Sequence, residues 1–190
     1  GVKASTGRLV WLLNGGDELH NAFALDDVLR LFKTYPTLDI ALTKPRLYRD
    51  GVYLYSGTLH KAIGGGKDPQ TAHLTANLLG SNHLCQQAVI YRRESLATVG
   101  PFDEKYKMAA DYDHYIRMQI AKAKALTIDR EIVRFDMSGS SSQFAKTLTE
   151  FRDIQKKYSS KLPAYLNRLN TVGFYWEKTR IHTLKKLKQT

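Results

Sequence analysis

Apolar residues run without interruption from Leu9 to Leu13, too short a run for a helix and well suited to a strand buried on both faces. The run stops at Asn14, Gly15, Gly16 and Asp17, residues with turn chemistry. A helical period follows. Leu25, Val28, Leu29 and Phe32 share one face of a helix expected over about Ala24 to Tyr35, and Pro36 ends it. Asp39 to Leu42 and Val52 to Tyr55 predict strands, with Arg49, Asp50 and Gly51 as the turn between them. Gly64 to Pro69 reads as a flexible loop and Gln70 to Leu79 as a short helix.

Gln87 to Tyr91, apolar after its first residue, predicts another buried strand. Arg93 to Val99 reads as a short helix closed by Gly100 and Pro101. The next helix is expected from Asp111 to Lys122, with Tyr112, Tyr115, Ile116, Gln119, Ile120 and Ala123 towards the core. Leu126 to Phe135 is strand-like and Ser138 to Ser142 is a loop. Helices are expected from Gln143 to Tyr158 and from Leu166 to Leu187, separated by Pro163. Strands and helices alternate, which predicts an α/β class. Residues 1–158 form one domain on this reading and residues 159–190 a basic helical extension.

Composition adds constraints. The 190 residues are 43% hydrophobic and 25% charged, as expected of a soluble globular chain. No run approaches the ~20 apolar residues needed to span a bilayer, and Gly1 to Gly7 carries no apolar signal segment. Cys85 is the single cysteine, so an internal disulfide is excluded and a reducing, cytoplasmic setting is expected. Net charge is +11, which argues for an anionic partner. From Lys161 to Thr190 seven bases stand against the single acid Glu177, and Tyr165, Phe174, Tyr175 and Trp176 lie among them. Such a segment suits the surface of an anionic membrane, and equally a solvated helix packed on the domain. No RNP-like or helix-turn-helix pattern is present, so nucleic acid is not expected as a partner.

Chemistry concentrates in three places. Ligands of an open α/β sheet sit beyond the carboxyl ends of its strands, where Asn14 to Asp17 falls. Gly15 and Gly16 let backbone approach a ligand, and Asp17 suits a hard divalent ion. A plain turn with Asp17 capping the next helix is the commoner outcome for these residues. Asp111 and Asp113 flank Tyr112 at a helix start after Ala109 and Ala110. Asp113 reads as the structural member, aimed at first-turn N–H groups, and Asp111 as the freer acid, open to a base role. Gln86, Gln87, Arg92 and Arg93 bracket a strand and could meet a polar ligand or satisfy buried backbone. The histidines show no metal-ligand spacing, and His114 reads as a solvated surface residue. Walker, Gly-x-Ser-x-Gly and Gly-x-Gly-x-x-Gly patterns are all missing.

Taken together, four segments resemble the family-2 glycosyltransferases with a GT-A fold. Ala4 to Asp17 (ASTGRLVWLLNGGD) is similar to the family's A-x-G-x-[hydrophobic]-x-x-L-N-S-G-D segment. Cys85 to Arg93 (CQQAVIYRR) resembles C-H-Q-A-x-[hydrophobic]-[FY]-R-[RK]. Val99 to Tyr106 matches G-x-F-D-E-x-[YF], and Ala109 to Asp113 matches A-[AE]-D-Y-D, followed by Arg117 on the same helix. The likeness extends to about Tyr158.

The resemblance implies a GT-A-like, Rossmann-like mixed sheet flanked by helices, N-terminally truncated and carrying C-terminal helices. It implies an inverting transfer of sugar from a nucleotide-diphosphate sugar to a glycan or lipid-linked acceptor in surface polysaccharide biosynthesis, at the inner face of the cell membrane. A catalytically inactive, binding-only relative is the alternative. Asp17 takes the role of ligand to Mg²⁺ or Mn²⁺, and Asp111 that of catalytic base. Asn14, Gly15, Gly16, Gln86, Gln87 and Asp113 fall beside donor and acceptor. Three departures stand out. Gly15 replaces the first acid of a full Asp-x-Asp, so weaker or water-mediated metal binding is expected. Gln86 stands where His is usual. The βα units that hold the nucleotide base in the family would precede Gly1, so an N-terminal portion is expected there.

Overall fold

The computed structural model of the chain describes residues 1–57, 63–64, 72–74, 84–137 and 144–161. Among them, β1 (Leu9–Trp11), β2 (Glu18–Leu19), β3 (Ile40–Arg49), β4 (Val52–Ser56), β7 (Val89–Arg92) and β8 (Ala125–Asp136) form one mixed sheet. Its order is β1-β7-β3-β8-β2, with β4 attached to β3. β3 and β8 run parallel, and the other pairs are antiparallel. A small second sheet pairs β5 (Ile63–Gly64) with β6 (His73–Leu74). The helices are α1 (Ala22–Thr34), α2 (Arg93–Val99), α3 (Ala110–Ile120) and α4 (Phe144–Tyr158).

Alternation along β3 builds two cores. Ile40 and Leu42 point to one face and pack with Tyr91, Tyr115 and Met118. Ala41 points to the other, under Ala24, Val28 and Phe32 of α1. The buried stripe of α1 is therefore turned from the expected one. Leu29 is exposed, and Ala24 joins Val28 and Phe32 on the face packed against the sheet; the helix also begins earlier than expected, at an Asn21 cap whose Oδ1 accepts the Phe23 N–H at 3.0 Å. A third cluster joins α3 to α4 through Tyr106, Tyr112, Ile116, Phe151, Ile154 and Tyr158.

Several expectations change. β3 runs on to Arg49, past the proline and charges that suggested an earlier end, because β8 and then β4 pair with it. The register shifts beside Pro45, which has no N–H to give. Gly57 closes this corner: its N–H donates to the Pro45 carbonyl at 2.9 Å, and a Cβ there would lie 2.8 Å from the proline ring. Gly64, expected in a loop, and His73 with Leu74, expected in a helix, lie in β5 and β6. The remainder of those segments, the serine loop and the tail from 162 onward fall outside the described residues. On α3, Ile120 is exposed, whereas Met118, Asp113 and His114 are buried.

His114 is the largest correction. The ring is wholly buried, stacked on Phe102 at 4.4 Å between centroids and edge-on to Tyr91 at 5.8 Å. Among the described residues neither ring nitrogen finds a well-aligned partner, although the Gly100 backbone stands near enough to favour the proton slightly. Burial first, and the Arg117 charge second, push its pKa down to about 4; Asp113 acts weakly the other way. An unfolded histidine takes its proton near pH 6.5, as an exposed imidazole does. Stability should therefore be complete above about pH 6.5 and fall as the solution is acidified towards pH 4, with a His114 contribution on the order of 3 kcal/mol. His114→Phe, which keeps a planar ring between Phe102 and Tyr91, should flatten that limb. Urea unfolding at pH 7.5 and pH 5 measures it, and equal pH dependence in both proteins would refute it.

Candidate active site

β1 and β2 are consecutive in the chain yet lie at opposite edges of the sheet. The segment between them therefore crosses the intervening strands: it leaves β1 level with Ala41 of β3 and reaches the carboxyl end of β8, where Asp17 meets Asp136. A turn sits on this path: the Asp17 N–H donates to the Asn14 carbonyl at 3.2 Å, with Gly16 at φ +94°. Only glycine takes that backbone region without strain. Asn14, Gly15 and Gly16 are exposed, and a Cβ on either glycine would meet no atom within 4 Å. The backbone here is open to approach from outside.

Asp17 is half-buried. Its Oδ2 accepts the Asn14 N–H at 3.1 Å, and Oδ1 lies 3.4 Å from the Asp136 N. Desolvation raises its pKa, and the charge of Asp136 adds a little. The Asn14 and Asp136 N–H groups and the Gln87 side chain offset part of that rise. Among the described residues no lysine, arginine or histidine forms an ion pair with Asp17. Two neighbouring carboxylates, one of them partly desolvated and without a cation, form a donor set that a divalent ion would relieve. No group of three or more His, Cys, Asp or Glu with metal-binding geometry occurs among the described residues. The arrangement therefore fits Mg²⁺ or Mn²⁺ held by one or two carboxylates with ligand oxygens completing the shell, and not a closed protein cage. Asp136 gave no signal in the sequence. It is 119 positions from Asp17, and only the crossing of the sheet joins them.

Next to Asp17, residues Gln86–Ala88 form a 3₁₀ turn that starts β7. Gln87 is 5% exposed. Its carbonyl accepts the Trp11 indole N–H at 2.7 Å, and its Oε1 accepts the Cys85 thiol at 3.1 Å. Gln87 thus braces the Asp17 loop from beneath, while Gln86 is half-buried at the surface of the turn. The Cys85 thiol is pushed up to about 12 by burial, and the charges of Asp111 and Asp17 add to the effect. The charges of both acids are therefore felt at one half-buried thiol.

The two arginines after this strand have structural partners. Arg92 donates to the carbonyls of Leu38, Phe32 and Tyr35 and so caps the end of α1. Arg93 holds the Gly7 carbonyl at 2.6 Å and Ser5 Oγ at 2.8 Å.

At the start of α3 the acids divide. Asp111 is half-buried, and its Oδ1 accepts the Tyr112 N–H at 2.8 Å. Its charge also reaches Tyr91 and Tyr115, whose hydroxyls it helps hold in the protonated form after burial has done most of that. Asp113 is wholly buried. It does not point at first-turn N–H groups as expected. One oxygen accepts from Arg117 Nε at 2.8 Å, and the other from Lys157 Nζ and the Tyr158 hydroxyl, each at 3.0 Å. A carboxylate so enclosed anchors α3 to α4 and has no surface to offer a ligand.

Comparison with known proteins bears on the fold. No protein-family model matches the chain. Over 117 residues it is 30% identical to the PGL/p-HBAD biosynthesis glycosyltransferases of Mycobacterium tuberculosis (strain ATCC 25618 / H37Rv) and Mycobacterium bovis (strain BCG / Pasteur 1173P2). That match covers 62% of this chain and 40% of each relative, so the chain spans less than half the length of the curated relatives it matches. In fold it is similar to S. aureus TarS, residues 1–349, with a TM-score of 0.55 and 14% sequence identity, over 89% of this chain and 46% of that one. The chain is thus similar in sequence to named glycosyltransferases, and its mixed α/β, Rossmann-like sheet flanked by helices is similar in fold to TarS.

Proposed function

We propose that this chain supplies the metal and acceptor side of an inverting glycosyltransferase site. The observation that carries the reading is the open Asn14–Gly16 turn that bears half-buried Asp17 at the end of β8, with half-buried Asp111 at the start of α3; the charges of both acids are felt at Cys85. Two carboxylates in different environments, one beside a second acid and one at a helix start, suit different tasks.

In this reading the donor is a nucleotide-diphosphate sugar. Its diphosphate lies against the open backbone of Asn14, Gly15 and Gly16. Asp17, with Asp136 beside it, holds Mg²⁺ or Mn²⁺, which when bound supplies Lewis-acid stabilisation to the diphosphate. Asp111 takes the proton of an acceptor hydroxyl as that oxygen bonds to the anomeric carbon. The carbon–oxygen bond to the diphosphate breaks on the opposite face, its electron pair leaves with the phosphate, and configuration inverts. Positive charge gathers on the ring, as in other glycosyl transfers.

The acceptor is a glycan or a lipid-linked saccharide, a reading supported by the likeness to relatives named for PGL/p-HBAD biosynthesis. No helix among the described residues is long and apolar enough to cross a membrane. Contact with the inner face of the cell membrane is assigned instead to the basic segment from Lys161 to Thr190.

Two outcomes are expected. Asp111→Asn should lower transfer roughly 10²–10⁴-fold while nucleotide-sugar affinity stays unchanged, measured as nucleoside diphosphate release in the protein that carries this chain. Asp17→Ala should weaken Mn²⁺-dependent donor binding by about tenfold or more, read by titration with and without the ion. Normal transfer by both variants would remove the assignment.

A further inference from the structure

Just before the turn that carries Asp111, three consecutive backbone N–H groups converge on one carboxylate from another helix. Glu150 Oε1 accepts from Lys107 at 3.0 Å, and Oε2 accepts from Met108 at 2.8 Å and Ala109 at 2.9 Å. Ala109 is the N-cap of α3, and alanine has no side chain with which to cap. The start of α3 is thus a concave row of donors at the positive end of a helix, filled from α4 more than 40 residues away.

α4 is itself held in register. Asp153 accepts from Lys105 Nζ at 2.7 Å and from the Tyr106 hydroxyl at 3.1 Å. Gln155 Nε2 donates to the Tyr112 hydroxyl at 3.3 Å, and Lys157 reaches Asp103 and Asp113. Phe151 and Ile154 pack against Tyr112 and Ile116 between these polar contacts. Glu150 is therefore presented to the N–H row by a fixed helix.

We propose that Glu150 is a positioning residue for Asp111. This rests on the reading of Asp111 as the base. Asp111 stands two residues beyond Ala109 at the start of the same helix, where a first-turn carboxylate can reach back to such N–H groups if they are left open. By occupying them, Glu150 leaves Asp111 in place for an acceptor hydroxyl. It also sets the backbone of the turn from which Asp111 projects.

The test has two arms. In this chain, hydrogen exchange at the amides of residues 107–109 should quicken by about tenfold or more in Glu150→Ala. In the protein that carries the chain, kcat per donor-binding site, with sites counted by nucleoside diphosphate titration, should fall by about tenfold or more. The donor KM should stay unchanged. Glu150→Gln keeps one carbonyl oxygen for Met108 and Ala109, so it should recover part of both effects. It also carries the test if the alanine variant does not fold. Unchanged exchange and kcat in Glu150→Ala or Glu150→Gln, beside an inactive Asp111→Asn, overturns the positioning role alone. An active Asp111→Asn overturns the base reading, and this inference with it.

Discussion

The connection from β1 to β2 has to cross the sheet, because three strands lie between these neighbours in sequence. Trp11 is tied to the Gln87 carbonyl at one side of the crossing, and Asp17 meets the end of β8 at the other. That span is the constraint on which the rest of the site depends. It brings an exposed glycine turn beside the carboxyl end of β8, the side of an α/β sheet where ligands usually bind. It also brings a carboxylate against a second one, Asp136, at the cost of partial desolvation. The next helix, α1, is capped by Asn21 and not by Asp17.

The second acid is placed by helix packing. Burying Asp113 is costly unless its charge is matched, and removing one partner of such a group is more damaging than the pair is stabilising. Arg117, Lys157 and Tyr158 together match it. Arg117 also binds the carbonyls of Val99 and Pro101, so the same guanidinium ties the α2–α3 connection to the helix. With Glu150 at one end and Asp113 one turn on, α3 has little freedom to slide or roll. Asp111 lies between these two fixed points. The first core, on the far side of α3, closes the arrangement against the sheet through Tyr115 and Met118.

Legibility followed the range of the forces involved. α2 appears where its composition and closing Gly100 place it, since both signals are local. β7 appears where a solid apolar run predicts it, one short 3₁₀ turn later than expected. β3 was legible only to Leu42, because Lys44, Pro45 and Arg46 break the apolar pattern while two neighbouring strands keep the backbone extended. His73 and Leu74 carry no period of their own and are strand only through pairing with Ile63 and Gly64. His114 looked solvated beside two acids, yet packing between Phe102 and Tyr91 buries it.

The sequence by itself determined which residue types stand at the ends of elements: an Asn-Gly-Gly-Asp turn after a buried strand, and two aspartates at a helix start. Those are consequences of turn chemistry, capping and period, which act within a few residues. Only the tertiary structure decided what surrounds each acid. Asp111 and Asp113 are two positions apart with the same chemistry, and they differ because Lys157 and Tyr158 arrive from α4 to enclose one of them. Asp17 became the neighbour of Asp136 through the sheet order alone. A carboxylate's role is set by its desolvation and its partners, and both come from chain segments that local pattern cannot bring together.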